Sequence, residues 1–393
     1  MNTIYFDNNA TTRVAPEVLD EMLPYLEGFY GNPSSMHTFG GQLYRKVEEA
    51  RSRVAQLVGA EPEEIIFTSC GTESDNTAIM SSVESSPGKR HIITTRVEHP
   101  AVLNFCKHLS RKGFRVTFVP VNNYGQMNIE ELLKVIDDDT ALVSIMYANN
   151  ETGVIFPVAE IGEILKKRRI LFHTDAVQAV GKIPIDVKTL PVDMLSLSGH
   201  KLHAPKGIGT LYVKKGTRFY PFMIGGHQER GRRAGTENVA SIIGLGKACE
   251  LASKNLDNEV TYLKGLRDKL ETALIKLCPD VRVNGDINSR LPNTTNLSFE
   301  YVEGEAILLR LNEYGICASS GSACTSGSLE PSHVLRAMGV PFTAIHGSIR
   351  FSLSRYNTTE EIDRVIEIMP GVIKELRLLS PFGRDRLGQV KCS

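Results

Sequence analysis

Leu195-Ser196-Leu197-Ser198-Gly199-His200-Lys201 alternates apolar and small residues, runs into a glycine and stops on a lysine. Alternation with a period of two reads as a β-strand, and the glycine as the turn that ends it. A lysine held at the end of a strand and partly out of water loses some of its preference for the charged form, because burial penalises the ammonium. Such an amine attacks aldehydes and forms a Schiff base. The same residues also suit an exposed lysine after a strand, so the meaning of Lys201 rests on its neighbours.

Working outward, short apolar strands keep alternating with helices. Upstream, strands are expected at 65–68, 91–94, 115–121, 141–148 and 170–173, separated by helices at 72–83, 101–112, 129–136 and 158–167. Further upstream come helices at 16–26 and about 41–58, the first opening on Pro16, a residue favoured in a first turn. Downstream, 210–213 reads as an edge strand. Strand–helix alternation predicts an α/β fold with a mostly parallel sheet flanked by helices, in which ligands sit beyond the carboxyl ends of the strands.

From 239 to about 277 the sequence is helical without a proline, as one or two long helices. A smaller α+β domain follows, with strands at 281–283, 295–299 and 348–353 and helices at 305–312 and 359–378. A chain of 393 residues exceeds one small core. The expected division is an N-terminal arm, 1–15, packing with the small domain; a large domain, 16–262; and a small domain, 263–393, carrying a loop at about 315–332. Residues after about 380 read as loosely ordered.

Lys plus Arg and Asp plus Glu both number 45, so nothing electrostatic favours nucleic acid or a membrane surface. No apolar run spans a bilayer, and residues 1–7 lack a signal-peptide pattern, which makes the cytoplasm the simplest compartment. Seven scattered cysteines with no Cys-x-x-Cys spacing indicate neither a disulfide framework nor a zinc site.

Five features then converge on one cofactor, pyridoxal phosphate (PLP). Gly71-Thr72-Glu73 opens a helix after a strand, where free N–H groups and a hydroxyl suit a phosphate. Asp175 lies just past a strand, where a carboxylate can keep a pyridine nitrogen protonated and make the ring an electron sink; Gln178 can reach the ring hydroxyl. His99 can stack on the ring and carry protons. Asn150, in Asn149-Asn150-Glu151-Thr152-Gly153, can bridge cofactor and substrate. Residues 226–238 place three arginines among glycines and can clasp an anion. Each has an ordinary structural reading too: helix cap, half-buried histidine, turn or solvated loop.

A second stretch, Gly315 to Ser328, is small, polar and glycine-rich and carries Cys324, where a core is not expected. It reads as a mobile loop whose exposed thiol is a nucleophile. Cys106 and Cys249 fall on expected helices and read as buried. Arg350, on a later strand, can grip a substrate carboxylate with two prongs.

Asp7 to Thr12, Gly71 to Asn76, Glu98-His99-Pro100, Asn149 to Gly153, Asp175 to Gln178, Ser198 to Lys201, Arg233 to Asn238 and Ser320 to Ser328 together resemble the cysteine desulfurases, PLP enzymes related to class V aminotransferases and of the nitrogen-fixation and iron–sulfur cluster assembly type. The resemblance implies a fold-type I, aspartate aminotransferase-like homodimer that converts L-cysteine to L-alanine and supplies sulfur to an acceptor or iron–sulfur scaffold protein. By matching position, it implies that Lys201 holds the PLP and that Thr72, Ser198, Gly199 and His200 surround its phosphate, with Thr236 from the partner subunit. It implies that Asp175 pairs with the ring nitrogen, that Gln178 and Asn150 approach the ring hydroxyl, that His99 stacks on the ring, that Arg350 takes the substrate carboxylate, and that Cys324 receives the sulfur as a persulfide. Cys324 is also a candidate transient iron–sulfur ligand. The open alternatives are a selenocysteine lyase or an aminotransferase on the same fold, and a sulfur-carrier scaffold that has lost catalysis.

Overall fold

The computed structural model describes residues 3–320 and 331–380. In chain order the elements are β1 (Ile4–Tyr5), α1 (Pro16–Glu27), α2 (Thr38–Val58), β2 (Ile65–Thr68), α3 (Gly71–Ser85), β3 (His91–Thr95), α4 (Pro100–Arg111), β4 (Arg115–Val119), α5 (Ile129–Val135), β5 (Thr140–Ser144), α6 (Val158–Arg168), β6 (Leu171–Asp175), β7 (Met194–Ser198) and β8 (Gly209–Val213). Then follow α7 (Val239–Leu277), β9 (Val281–Val283), β10 (Thr294–Phe299), α8 (Gly304–Glu313), β11 (Ile316–Cys317), α9 (His333–Ala337), α10 (Phe342–Ile345), β12 (Ser348–Ser352) and α11 (Thr359–Leu379).

Seven strands form the central sheet in the order β2-β8-β7-β6-β5-β3-β4. The run β4-β3-β5-β6-β7 is parallel, and β8 is antiparallel to both its neighbours. The architecture is thus α/β with a mostly parallel sheet. One expectation fails: β8 is not an edge strand. It lies between β7 and β2 with all five residues buried. Its short length and the charged turn Lys214-Lys215-Gly216 resemble an edge, but the chain returns directly beside β7 and leaves a second flank on which β2 pairs.

Two other boundaries shift. Helix α2 starts at Thr38, because the His37 ring nitrogen accepts the Gly40 N–H and caps it one turn earlier than expected. Strand β5 ends at Ser144, although Ile145 and Tyr147 still donate to carbonyls of β6 residues.

Helix α7 is one continuous helix of 39 residues, roughly 58 Å long. Its buried residues fall at its two ends. Val239 to Ala252 join the large apolar core under the seven-stranded sheet, and Leu263 to Leu274 join a second core. That second core packs α8 and α11 against the three-stranded sheet β12-β10-β9. Ile4 and Tyr5 pair in parallel with Ile316 and Cys317, so the first residues are stitched to this part of the molecule. No helix among the described residues is long and apolar enough to cross a membrane.

Candidate active site

The strands β2, β3, β6 and β7 run in the same direction, so their carboxyl ends lie along one edge of the central sheet. The turn from β2 into α3 is closed by Glu73, whose carboxylate accepts the Ser69 N–H at 2.7 Å and Arg233 Nε at 2.8 Å. No side chain caps α3, which leaves its first N–H groups for a ligand. A Cβ on Gly71 would lie 2.9 Å from Val177 Cγ2 and 3.4 Å from Ser198 Cβ, so only glycine lets the helix start approach β7 this closely. The Ser198 hydroxyl, buried beside it, has no hydrogen-bond partner among the described residues. Thr72 is exposed at the same helix start.

Asp175 is the last residue of β6, and its Oδ1 accepts the Val177 N–H at 2.9 Å. Burial pushes its carboxyl up to about 6, against the opposing pull of that N–H and of the Lys201 charge. Asp75, from α3, is held well above the carboxylate range by burial and then by the Asp175 charge. His173 bonds Ser144 and Ser196 through its two nitrogens, and burial depresses it to about 3, so the ring is neutral.

Lys201 ends a single 3₁₀ turn, Gly199–Lys201. Its Nζ donates to the carbonyls of Asn9 at 2.5 Å and Ala10 at 2.7 Å. The same arm meets His200: Thr12 N–H donates to its carbonyl at 2.9 Å, and the Thr11 hydroxyl lies 3.2 Å from its ring. Gln178 Nε2 donates to the Asn9 carbonyl, and Gln178 Oε1 accepts from Lys182 at 2.8 Å. Burial, then Lys201 and Arg350, depress Lys182 to about 7.

Arg350 is 2% exposed. It donates to the Asn150 carbonyl at 2.9 Å and to Asp7 Oδ1 at 2.7 Å, while its Nε has no partner among the described residues. That buried, unspent donor fits a carboxylate brought in by a ligand. His99 caps α4 by accepting the Ala101 N–H on Nδ1, so its proton sits on Nε2. Burial, then Lys201 and His333, lower it to about 4. His200 is likewise lowered to about 4, first by burial.

Gly71 and Ser198 thus meet at the start of α3, Asn9 links Gln178, Lys201 and Asn150, Asn150 in turn holds Arg350, and Asp175 and His99 both feel the Lys201 charge, with Thr72, Gly199 and His200 adjoining them in the chain. Glu73 closes the turn before α3. Thr236 lies in an exposed turn before α7. Cys324 lies outside the described residues. The arginines of 226–238 do not present themselves to an anion. Arg230 pairs with Glu48, Arg232 donates to the Glu63 carbonyl, and Arg233 pairs with Glu73. Carboxylates and carbonyls on other elements, invisible in the local sequence, engage all three, although Arg232 Nε has no partner among the described residues. Sequence reasoning assigned no role to the Asn9 and Ala10 carbonyls, Asp7, Lys182 or Glu98. The polar run Asp7 to Thr12 was the available signal for the first three.

Residues 4–365 match the family model described as Aminotransferase class-V. The chain belongs to that family, whose members use PLP. It is 63% identical over 388 residues to the cysteine desulfurase of Trichormus azollae, covering 99% of this chain and 97% of that one. It is 57% identical over 383 residues to cysteine desulfurase NifS of Azotobacter vinelandii, covering 97% and 95%. A solved NIFS-like protein superposes with a TM-score of 0.90 at 43% identity, covering 95% of this chain and all of that one. Within the family the chain falls among the cysteine desulfurases of the NifS type. The residues present fit PLP by their chemistry: an uncapped helix start and the Ser198 hydroxyl, without a partner among the described residues, suit the phosphate, Asp175 suits a ring nitrogen, and Lys201 suits the aldehyde.

Proposed function

We infer that this protein is a PLP-dependent cysteine desulfurase, converting L-cysteine to L-alanine and passing the sulfur through an enzyme persulfide toward iron–sulfur cluster assembly. The observation that carries the reading is that one N-terminal arm holds both Lys201 and Arg350, with Asp175 close enough to feel the Lys201 charge, in a chain whose relatives of 55–63% identity are named cysteine desulfurases. Bound PLP supplies an electron sink for the pair left on the substrate α-carbon. Gly71, Thr72, Ser198, Gly199 and His200 would hold its phosphate, and Lys201 its aldehyde carbon. Asp175 would face its nitrogen, and His99 the face of its ring. Gln178 and Asn150 would approach its ring hydroxyl.

Arg350 would bind the substrate carboxylate through its spare Nε and fix which bond at the α-carbon faces Lys201. Lys201 Nζ would move the proton at that carbon, and His99, neutral with its proton on Nε2, would manage the proton at the departing group. The Cys324 thiolate would attack the substrate sulfur. A sulfur–sulfur bond forms there as the carbon–sulfur bond breaks, which leaves L-alanine and a persulfide on Cys324. A further role for Cys324 is brief ligation of a cluster during transfer.

The same reading includes a homodimer, with Thr236 reaching the partner's phosphate site. Its support is the exposed apolar set Leu26, Tyr30, Met36, Phe222 and Ile224 together with the exposed position of Thr236. It also includes a cytoplasmic location, a sulfur-acceptor or scaffold partner, and the division at 1–15, 16–262 and 263–393; the second apolar core draws mostly on residues 263–373 together with Ile4 and Phe6, while Leu291 and Val334 to Ile345 join the large one. The test is mass spectrometry after incubation with L-cysteine. One added sulfur on the peptide containing Cys324 is expected, absent in Cys324→Ala; undiminished cysteine turnover by that variant refutes the assignment.

A further inference from the structure

The turn after β6, residues 176–183, carries a second lysine that the reaction outlined above does not use. Gly181 has φ +73°, and a Cβ on it would lie 2.4 Å from Leu202 Cδ2. Only glycine therefore lets this turn pack against the residue that follows Lys201. The next residue, Lys182, is half-buried. Its Nζ donates to Gln178 Oε1 at 2.8 Å and to Asn9 Oδ1 at 3.3 Å. Among the described residues it pairs with no carboxylate, and the charges that face it, Lys201 and Arg350, are of its own sign. His200 and His203 also sense its charge. An ammonium placed among cations gains no ion-pair energy in return for its burial. Its contacts find their explanation in what they orient.

Those contacts belong to one small network around Asn9. Gln178 Nε2 donates to the Asn9 carbonyl at 3.0 Å, and Lys201 Nζ donates to the same carbonyl at 2.5 Å. Asn9 is fixed from other sides as well, its Nδ2 donating to Thr294 Oγ1 at 2.8 Å and its Oδ1 accepting from Asn293 at 3.1 Å. An ammonium only donates, so Gln178 turns its oxygen to Lys182 and its nitrogen to the carbonyl that Lys201 also uses. An amide nitrogen carries two hydrogens. One goes to Asn9; the other has no partner among the described residues, although Gln178 is buried.

We propose that Lys182 is a positioning residue: by holding Gln178 Oε1 it directs the spare amide hydrogen of Gln178 to the ring oxygen of bound PLP, and makes Gln178 a donor there and never an acceptor. The proposal rests on the PLP site inferred above, in which Gln178 approaches that oxygen and Lys201 the aldehyde carbon. A donated N–H stabilises the oxygen as an anion. Less of its charge then remains to retain the proton on the Lys201 nitrogen, so that proton leaves at lower pH. A neutral lysine amine still has N–H groups to donate, so the contact survives the lowering of Lys182 to about 7.

The test is a pH titration of the holoenzyme that follows the absorption band of bound PLP, whose midpoint reports loss of the proton on the Lys201 nitrogen. Lys182→Met is expected to raise that midpoint by about one pH unit, a tenfold tighter hold on the proton. Lys182→Arg keeps N–H donors beside Gln178 and is expected within about half a unit of wild type. Gln178→Ala raises the midpoint by a similar amount to Lys182→Met, and the double variant goes less than about 0.3 unit further, because the lysine acts through the amide. An unmoved midpoint in Lys182→Met overturns the proposal. So does a full further shift in the double variant, which marks Lys182 as acting by its charge alone, and so does an equal shift in Lys182→Arg. Where Lys182→Met does not fold or take up PLP, Lys182→Ala decides by the same criteria, and failure of both overturns the proposal by marking the lysine as structural. A wild-type protein that takes up no PLP, or a Gln178→Ala variant that keeps the wild-type midpoint, refutes instead the reading of the site on which the proposal stands.

Discussion

Glu98→Gln is a test of how the site stores protons. Glu98 is 0% exposed, accepts from the Thr95 hydroxyl at 2.8 Å and the Met146 N–H at 3.0 Å, and leaves Oε2 without a partner among the described residues. Burial raises its carboxyl from 4.5 to about 8, so the folded protein keeps a proton that the unfolded chain releases. The stability this group contributes is full below about pH 4.5 and is lost as the pH climbs toward about 8. One proton of difference is worth about 1.4 kcal/mol per pH unit, so about 3 kcal/mol is lost between pH 5.5 and 7.5. Glutamine keeps the acceptor oxygen and puts an N–H where the protonated acid has its O–H, but it does not titrate. Urea unfolding of the PLP-free protein at those two pH values is the assay. Wild type is expected to lose about 3 kcal/mol more than Glu98→Gln over that interval, the other groups cancelling because both proteins share them. An equal pH response in the two proteins refutes the assignment of the bound proton to Glu98.

Three other perturbations have definite outcomes. Arg51 and Glu229 form a buried two-pronged pair at 2.6 and 2.8 Å, so Arg51→Met leaves a buried carboxylate with the Phe67 N–H but without its paired charge and is expected to cost about 3–5 kcal/mol, read by denaturant unfolding. Gly71→Ala forces Val177 aside and is expected to weaken PLP binding about tenfold, measured by absorption titration of the PLP-free protein, with Val177→Ala restoring part of the loss. Asp7→Ala frees one prong of Arg350 and is expected to raise KM for L-cysteine about tenfold with kcat changed less than threefold.

What could be read in advance was what is local. Periods of two and 3.6 located the sheet strands from β2 to β7, and the residues at their carboxyl ends were legible as a site because that is where open parallel sheets bind ligands. The position of β8 was not legible, since pairing partners depend on the return path of the chain and not on its own residues. The fate of Arg230, Arg232 and Arg233 was not legible either. A glycine-flanked arginine looks the same whether it awaits a phosphate or meets Glu48, Glu63 or Glu73 from elsewhere. Nothing local in the sequence marks Asp75 and Glu98 as buried, and only the packing around α3 and the end of β3 reveals them as sealed in. Roles for Lys201, Asp175 and Arg350 were suggested by residue type and position, and the resemblance implied the same ones. The arm that holds two of them emerges only from contacts across most of the chain.

That arm sets an order of events for a chain being made. Lys201 is held by carbonyls 191 and 192 positions before it, and Arg350 by a carboxylate 343 positions before it. On a ribosome the N-terminal residues emerge first, yet their last partners are among the last to be synthesised. Contacts between such distant positions are slow to form and come late. A nascent chain therefore cannot finish these contacts until translation is nearly over, and any product cut short before residue 350 lacks the arginine that Asp7 holds.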